Sequence, residues 1–193
     1  MEYNSKAYAL LNRGYKRHFK EVVARLGPRR EDRILEIGCA RGVVVRAVQD
    51  IAPATYGVDV NPEAIKNGVT RNLSVMSGDQ LSFENESFDK VYSFHTIEHI
   101  LPLQNVFKEI ARILKPGGKV LLVYPAEPVR GLFSIVASFV MFKHPFRARA
   151  IHVHKLTPKK IQELIFNTGL IHQESGFSFL KGPEFFTVLR KRI

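Results

Sequence analysis

At 193 residues, with 45% hydrophobic and 24% charged side chains, the chain has the length and composition of one α/β domain with a sizeable core, and no low-complexity segment or internal repeat interrupts it. Cys39 is the single cysteine, which excludes an intrachain disulfide and fits a reducing compartment. Twenty-nine Lys and Arg against 18 Asp and Glu give a net charge of +11, which attracts nucleic acid or an anionic membrane surface without choosing between them. The opening M-E-Y-N-S-K has early charges and no apolar core, so no secretory signal is expected and a cytoplasmic location is.

Residues 5–26 read as an amphipathic helix: Tyr8, Leu11, Tyr15, Phe19, Val22 and Leu26 recur at three- and four-residue steps, and Gly27-Pro28 ends it. The chain is organised around the next stretch, Arg33 to Gly42. Ile34, Leu35 and Ile37 form a short apolar run suited to a buried parallel strand. Gly38, Cys39 and Ala40 then place small residues at a sharp turn, and Val44, Val45, Ala47 and Val48 continue as a helix. Such a strand-loop-helix lets a ligand approach the backbone closely at the edge of an α/β sheet. Glu36 is costly there unless something polar or cationic meets it. The dinucleotide fingerprint would need small residues at 38, 40 and 43, and position 43 is Val.

Ala54 to Val60 reads as a second strand with Asp59 near its end, followed by Asn61 and Pro62 as N-cap and first helical residue. Asp59 lies 21 residues beyond Gly38, the spacing at which an acid reaches a ribose diol; the alternative is a helix-flanking acid favoured by the dipole. Leu73 to Met76 is a third strand ending in Ser77-Gly78-Asp79-Gln80, and Lys90 to Phe94 a fourth. His95 to His99 spells H-x-x-E-H, a zinc-protease pattern, but it follows a strand directly and precedes a helix that starts near Leu101. No metal site is therefore expected.

A helix marked by Leu103, Val106, Phe107, Ile110, Ile113 and Leu114 stops at Pro116-Gly117-Gly118, and Lys119 to Tyr124 is a fifth strand. Residues 131–142 are uncharged and apolar on nearly every face, and at twelve residues they fall short of the about 20 that a bilayer span needs. With Arg130, Lys143, His144, Arg147 and Arg149 around them, they read as a cap over a pocket for a greasy substrate, as a peripheral membrane contact in the headgroup region, or as a buried helix in a subunit interface. His152 and His154 share one side of an extended segment, near a pocket or at the surface. Thr157-Pro158 starts a helix through Ile161, Leu164 and Ile165, and Leu170–Phe179 with Phe185–Leu189 form a closing hairpin.

The spacing Glu36, Gly38, Ala40, Gly42 resembles motif I of the class I S-adenosylmethionine-dependent methyltransferases, and the chain is similar to their type 11-like members. The F-D-x-V-x-S block from Phe88 to Ser93, Glu98-His99-Ile100 after the fourth strand, and L-K-P-G-G-K-V-L-L from Leu114 extend the resemblance along most of the chain. The family usually has glycine where Ala40 stands; alanine keeps the turn if its φ is negative. The resemblance implies a single domain over 1–193 with a seven-stranded, mostly parallel sheet, helices on both faces and the last strand antiparallel. It implies S-adenosylmethionine across the strand ends. Glu36 and the backbone at Gly38, Cys39, Ala40 and Gly42 would hold the methionine end, and Asp59 the ribose. Asp79 and Gln80 would frame the adenine, with Val60 and Phe94 as further cofactor contacts. Residues 5–26 would close the site as a lid, or pack as an ordinary helix on the sheet.

Methyl transfer chiefly requires alignment and exclusion of water, so no dedicated catalytic group is obligatory. His95 and His154 are the candidate general bases. No N-P-P-Y-type tetrad and no acidic triad for a catechol-type metal site is seen. The acceptor expected is a small hydrophobic or lipid-like molecule methylated at O or C, with residues 126–156 as its cap. RNA or protein methylation, and a non-catalytic interaction role, are the alternatives.

Overall fold

The computed structural model describes residues 15–126, 155–178 and 183–193. Strand β1 (Ile34–Ile37) is buried at every position because parallel strands flank it on both sides. Before it comes α1 (Tyr15–Leu26); after it follow α2 (Val43–Gln49), β2 (Thr55–Asp59), α3 (Pro62–Lys66) and β3 (Leu73–Val75). Next come β4 (Phe88–Phe94), a short 3₁₀ turn (Ile97–His99), α4 (Leu103–Ile113) and β5 (Leu114–Pro125). Then α5 (Pro158–Leu164), β6 (Leu170–Ser178) and β7 (Glu184–Lys191) close the fold.

The seven strands lie in the order β3-β2-β1-β4-β5-β7-β6. Pairing is parallel from β3 through β5, and β7 runs antiparallel to both its neighbours. Reversal of β7 has a consequence for the site: it starts at the edge where the parallel strands stop, with Glu184 opposite Pro125. Strand alternation sends Leu35, Ile37, Val91 and Leu122 to one core under α4 and α5. Ile34, Tyr92, Phe94 and Leu121 go to the other, under α1 and α2. Glu36 shares that second face by the same alternation.

The start signals hold. Asn61 Oδ1 accepts the amides of Glu63 and Ala64 at 3.0 and 3.1 Å, and Thr157 Oγ1 accepts Lys160 N at 3.1 Å. The Pro116-Gly117-Gly118 boundary does not: α4 ends at Ile113, and Leu114 already pairs with Phe88 inside β5. Leu114 is fully buried, and the register shift between Phe88 and Lys90 absorbs the extra residues. Residues 5–14 of the leading helix lie outside the described residues, as do His152, His154 and the apolar segment 131–142.

Candidate functional site

The loop after β1 is shaped by three left-handed residues, Gly38 at φ +82°, Ala40 at +47° and Gly42 at +72°. The negative φ expected of Ala40 is thus corrected. Ala40 adopts a conformation that glycine takes without strain, because its amide is drawn to Asp59 Oδ2 at 2.8 Å. Gly38 and Cys39 donate to Val58 O at 2.8 and 3.0 Å, and Asp59 Oδ1 accepts Asn61 N at 2.9 Å. Each carboxylate oxygen of Asp59 therefore accepts one backbone amide and keeps lone pairs for further donors. Gly42 caps α2, and a Cβ there would press on Leu73. Cys39 is buried, and burial pushes its thiol well above the usual range, so it serves packing rather than nucleophilic chemistry.

Glu36 is 4% exposed. Tyr92 Oη donates to its Oε2 at 3.2 Å, and the Val45 amide at the start of α2 also favours the carboxylate. Burial outweighs both and pushes Glu36 up to about 8, with the Asp59 charge adding to the rise. Among the described residues no cation pairs with it. Its position therefore suits a ligand that brings one.

At the tip of β4, Phe94 lies under the His18 ring, stacked at 4.2 Å between centroids. His95 follows at φ +51°, with its amide on Val123 O at 2.9 Å. Its Nε2 is 3.4 Å from Glu184 Oε1 and its Nδ1 3.9 Å from Glu98 Oε1. The His18 ring is 6.1 Å from the His95 ring. The H-x-x-E-H run is a turn and a 3₁₀ segment rather than an α-helix, so its two histidines do not share a helix face. Thr96 packs where a Cβ on Gly38 would stand, which places this turn against the glycine loop.

On the far side, Met76 N donates to Asp59 O at 3.1 Å, joining the end of β3 to the end of β2. The turn that follows carries half-buried Asp79, which accepts the Ser77 hydroxyl, and exposed Gln80. Val60, directly after Asp59, is 65% exposed and presents apolar surface beside that carboxylate. The strand ends thus gather Glu36, the 38–42 loop, Asp59, Val60, Asp79, Gln80 and His95 at one edge, with Phe94 beneath His18. His154 is outside the described residues.

Three side chains in this site were not singled out from the sequence. His18 had a signal: it falls on the apolar face of α1 with Tyr15, Phe19, Val22 and Leu26. Glu98 stood inside a motif weighed for zinc and inside the Glu98-His99-Ile100 run that carries the resemblance, without a role of its own. Glu184 had none, since only the reversal of β7 brings it to this edge.

A sheet in this order with a reversed seventh strand, a glycine-type loop after the first strand and an acid ending the second is the architecture of class I methyltransferases. It is shared by the S-adenosylmethionine-dependent methyltransferase from Mesorhizobium loti, with a TM-score of 0.71 at 15% identity over 94% of this chain and 100% of that one. Residues 11–171 match the family described as methyltransferase domain, and the chain belongs to that family. It is 32% identical over 113 residues to sterol 24-C-methyltransferase erg-4 of Neurospora crassa, covering 53% of this chain and 30% of that protein. It is 25% identical over 154 residues to the ubiquinone biosynthesis O-methyltransferase of a Chelativorans species, covering 74% of this chain and 60% of that protein. The chain therefore spans about a third of the sterol enzyme's length.

The family's cofactor is S-adenosylmethionine, and the residues present fit it. Glu36 is a buried acid suited to a cationic partner, Asp59 has acceptor capacity for a diol, and Val60 offers an apolar surface for a flat ring.

Proposed function

We propose that this domain methylates an O or C nucleophile of a small hydrophobic or lipid-like acceptor, using S-adenosylmethionine. The observation that carries the reading is Asp59, whose carboxylate is fixed by the Ala40 and Asn61 amides at the mouth of the crevice. A carboxylate so fixed binds two hydroxyls without reorganising, and it repels a phosphate at the same place. The cofactor supplies a carbon already activated by its sulfonium. The chain's own work is to hold and orient. Glu36 faces the methionine end, the loop backbone lines it, and Asp79 with Gln80 borders the adenine. His18 over Phe94 covers the side on which an acceptor approaches, and helps exclude water.

Two of the relatives are named for sterol and ubiquinone chemistry, and both names support a greasy acceptor. The sequence of 131–142, apolar between basic flanks, suits a cap over such a molecule or a contact with the membrane that supplies it. The protein then works in the cytoplasm or at a membrane surface, with residues 5–26 as lid and 126–156 as cap.

Calorimetry with S-adenosylmethionine tests the cofactor assignment: Asp59→Ala lowers affinity at least tenfold, and unchanged binding would remove the assignment. Incubation with methyl-labelled S-adenosylmethionine and a cell extract, split into lipid, RNA and protein fractions, tests the acceptor. Label is expected in the lipid fraction. Label confined to RNA or protein would overturn it.

A further inference from the structure

We infer that the outer face of α1 docks on an anionic phospholipid surface and brings the mouth of the crevice against it. The inference rests on the lipid-like acceptor reading and adds to it the surface from which the acceptor is drawn.

The two faces of α1 differ in chemistry. The inner face carries Val22 and Leu26, both buried, and His18, stacked on Phe94 at the tip of β4. The outer face carries Lys16, Arg17 and Lys20, all exposed. At 3.6 residues per turn Lys16 and Lys20 stand one above the other, with Arg17 beside them. Lys16 and Arg17 are the two residues before His18, so the cations lie next to the point where α1 covers the crevice.

The one acid of α1, Glu21, is held by Arg25 at 2.6 Å, and among the described residues no carboxylate forms an ion pair with Lys16, Arg17 or Lys20. The other helices mix signs: Asp50 meets Arg46 at the end of α2, Glu109 meets Arg112 on α4, and Glu163 meets Lys160 on α5. Such mixing is usual for a face that meets only water. Like charges one turn apart repel and cost helix stability, so α1 keeps an unfavourable arrangement that an anionic partner relieves.

The side chains beside the stripe favour lipid headgroups over nucleic acid. Binding to a nucleic-acid strand leans on exposed aromatic rings. The rings of Tyr15 and Phe19 instead pack against the core, and the large apolar side chain exposed on α1 is Val23, at 38%. Val23 follows Lys20 by three residues and so lies beside it. Long basic stems next to an exposed valine suit the headgroup boundary, where the stems meet apolar surface and the charges meet phosphate. Docked by this face, the His18 end of α1 stands at the bilayer, and a greasy acceptor reaches the crevice without crossing water.

Flotation of the full chain with phosphatidylcholine vesicles, with and without phosphatidylserine, tests this. Wild type is expected to float with the anionic vesicles, less so as salt rises, and not with phosphatidylcholine alone. Each Lys or Arg at a membrane surface changes partition about fivefold, so Lys16→Gln, Arg17→Gln and Lys20→Gln combined should lower it about a hundredfold. Arg71→Gln, Lys108→Gln and Lys159→Gln combined remove the same charge from exposed positions elsewhere, and should keep partition within about threefold of wild type. Calorimetric affinity for S-adenosylhomocysteine, unchanged in both triple variants, shows that the fold survives. No flotation of wild type, an equal loss in both triple variants, or a loss in neither overturns the inference. Binding to single-stranded RNA that needs the same three residues, with vesicles left unbound, overturns it in favour of nucleic acid. The acceptor reading fails separately: methyl label in lipid without flotation would remove the docking face and leave that reading standing.

Discussion

Thr96 fills the space that a Cβ on Gly38 would need, so the loop after β1 and the turn after β4 fit together only with glycine at position 38. Two separate costs attach to Gly38→Ala. The φ of +82° is strained for any side chain, by about 1–2 kcal/mol, and the overlap with Thr96 adds about 1–3 kcal/mol of overpacking. Urea denaturation should therefore show a loss of about 2–5 kcal/mol, with cofactor affinity falling more than tenfold. Combining Gly38→Ala with Thr96→Ala should recover the overlap and leave the strain. A double variant no more stable than Gly38→Ala would show that Thr96 does not set the fit.

Glu36 links the site to pH. Its carboxyl is pushed up to about 8 by burial, from 4.5 in the unfolded chain, so the folded protein holds a proton that the unfolded one has lost between those values. Stability should fall as pH rises from about 4.5 to about 8 and be level above that, by a few kcal/mol in all. Glu36→Gln lacks this slope and should gain on wild type steadily across the window. Cofactor binding should show the complement, tightening as pH rises toward 8 and releasing a proton below it, read by calorimetry in buffers of different ionisation heat. Parallel stability curves for the two proteins would refute the account.

Ala40 carries strain that the loop tolerates for the sake of its amide. At φ +47° its methyl group costs about 1 kcal/mol relative to glycine, less the greater freedom that glycine gains when unfolded. Ala40→Gly should stabilise the empty protein by up to about 1 kcal/mol, while the amide still reaches Asp59 and cofactor affinity holds within a factor of about three. A destabilised Ala40→Gly protein would mean that the methyl group packs usefully.

The strand cores, the helix starts and the place of Asp59 at the end of β2 were legible in the sequence because each obeys a local rule: an apolar run, an Asn-Pro or Thr-Pro start, an acid at a fixed distance from a glycine; Asp79 was picked out by the resemblance instead. Ala40 shows where such rules stop. Its side chain permits a negative φ, and only the pull of Asp59, nineteen residues away, reverses it. The end of α4 was misplaced because Leu114 continues the helical spacing but is captured by pairing with Phe88. Glu184 was invisible for a topological reason, since no pattern near residue 184 says that β7 will start beside β5 at the active edge.

Arg25 shows how α1 is held so that His18 can cover Phe94. Its guanidinium carbon lies 3.3 Å from the centroid of Phe186, while its nitrogens reach Glu21 at 2.6 Å and Glu174 at 3.0 Å. The ion pairs are partly exposed, and such pairs contribute about 0–1 kcal/mol. Stacking of the planar group on the ring is worth about 1–2 kcal/mol when part of the group is shielded, and it depends on a flat guanidinium rather than on charge alone. Arg25→Ala should therefore lower stability by about 1–2 kcal/mol, Arg25→Lys should restore less than half of that, and Glu174→Ala should stay within about 0.5 kcal/mol of wild type. Urea denaturation followed by circular dichroism checks all three. Full rescue by lysine would assign the anchor to charge, and would leave the Phe186 contact without an energetic role.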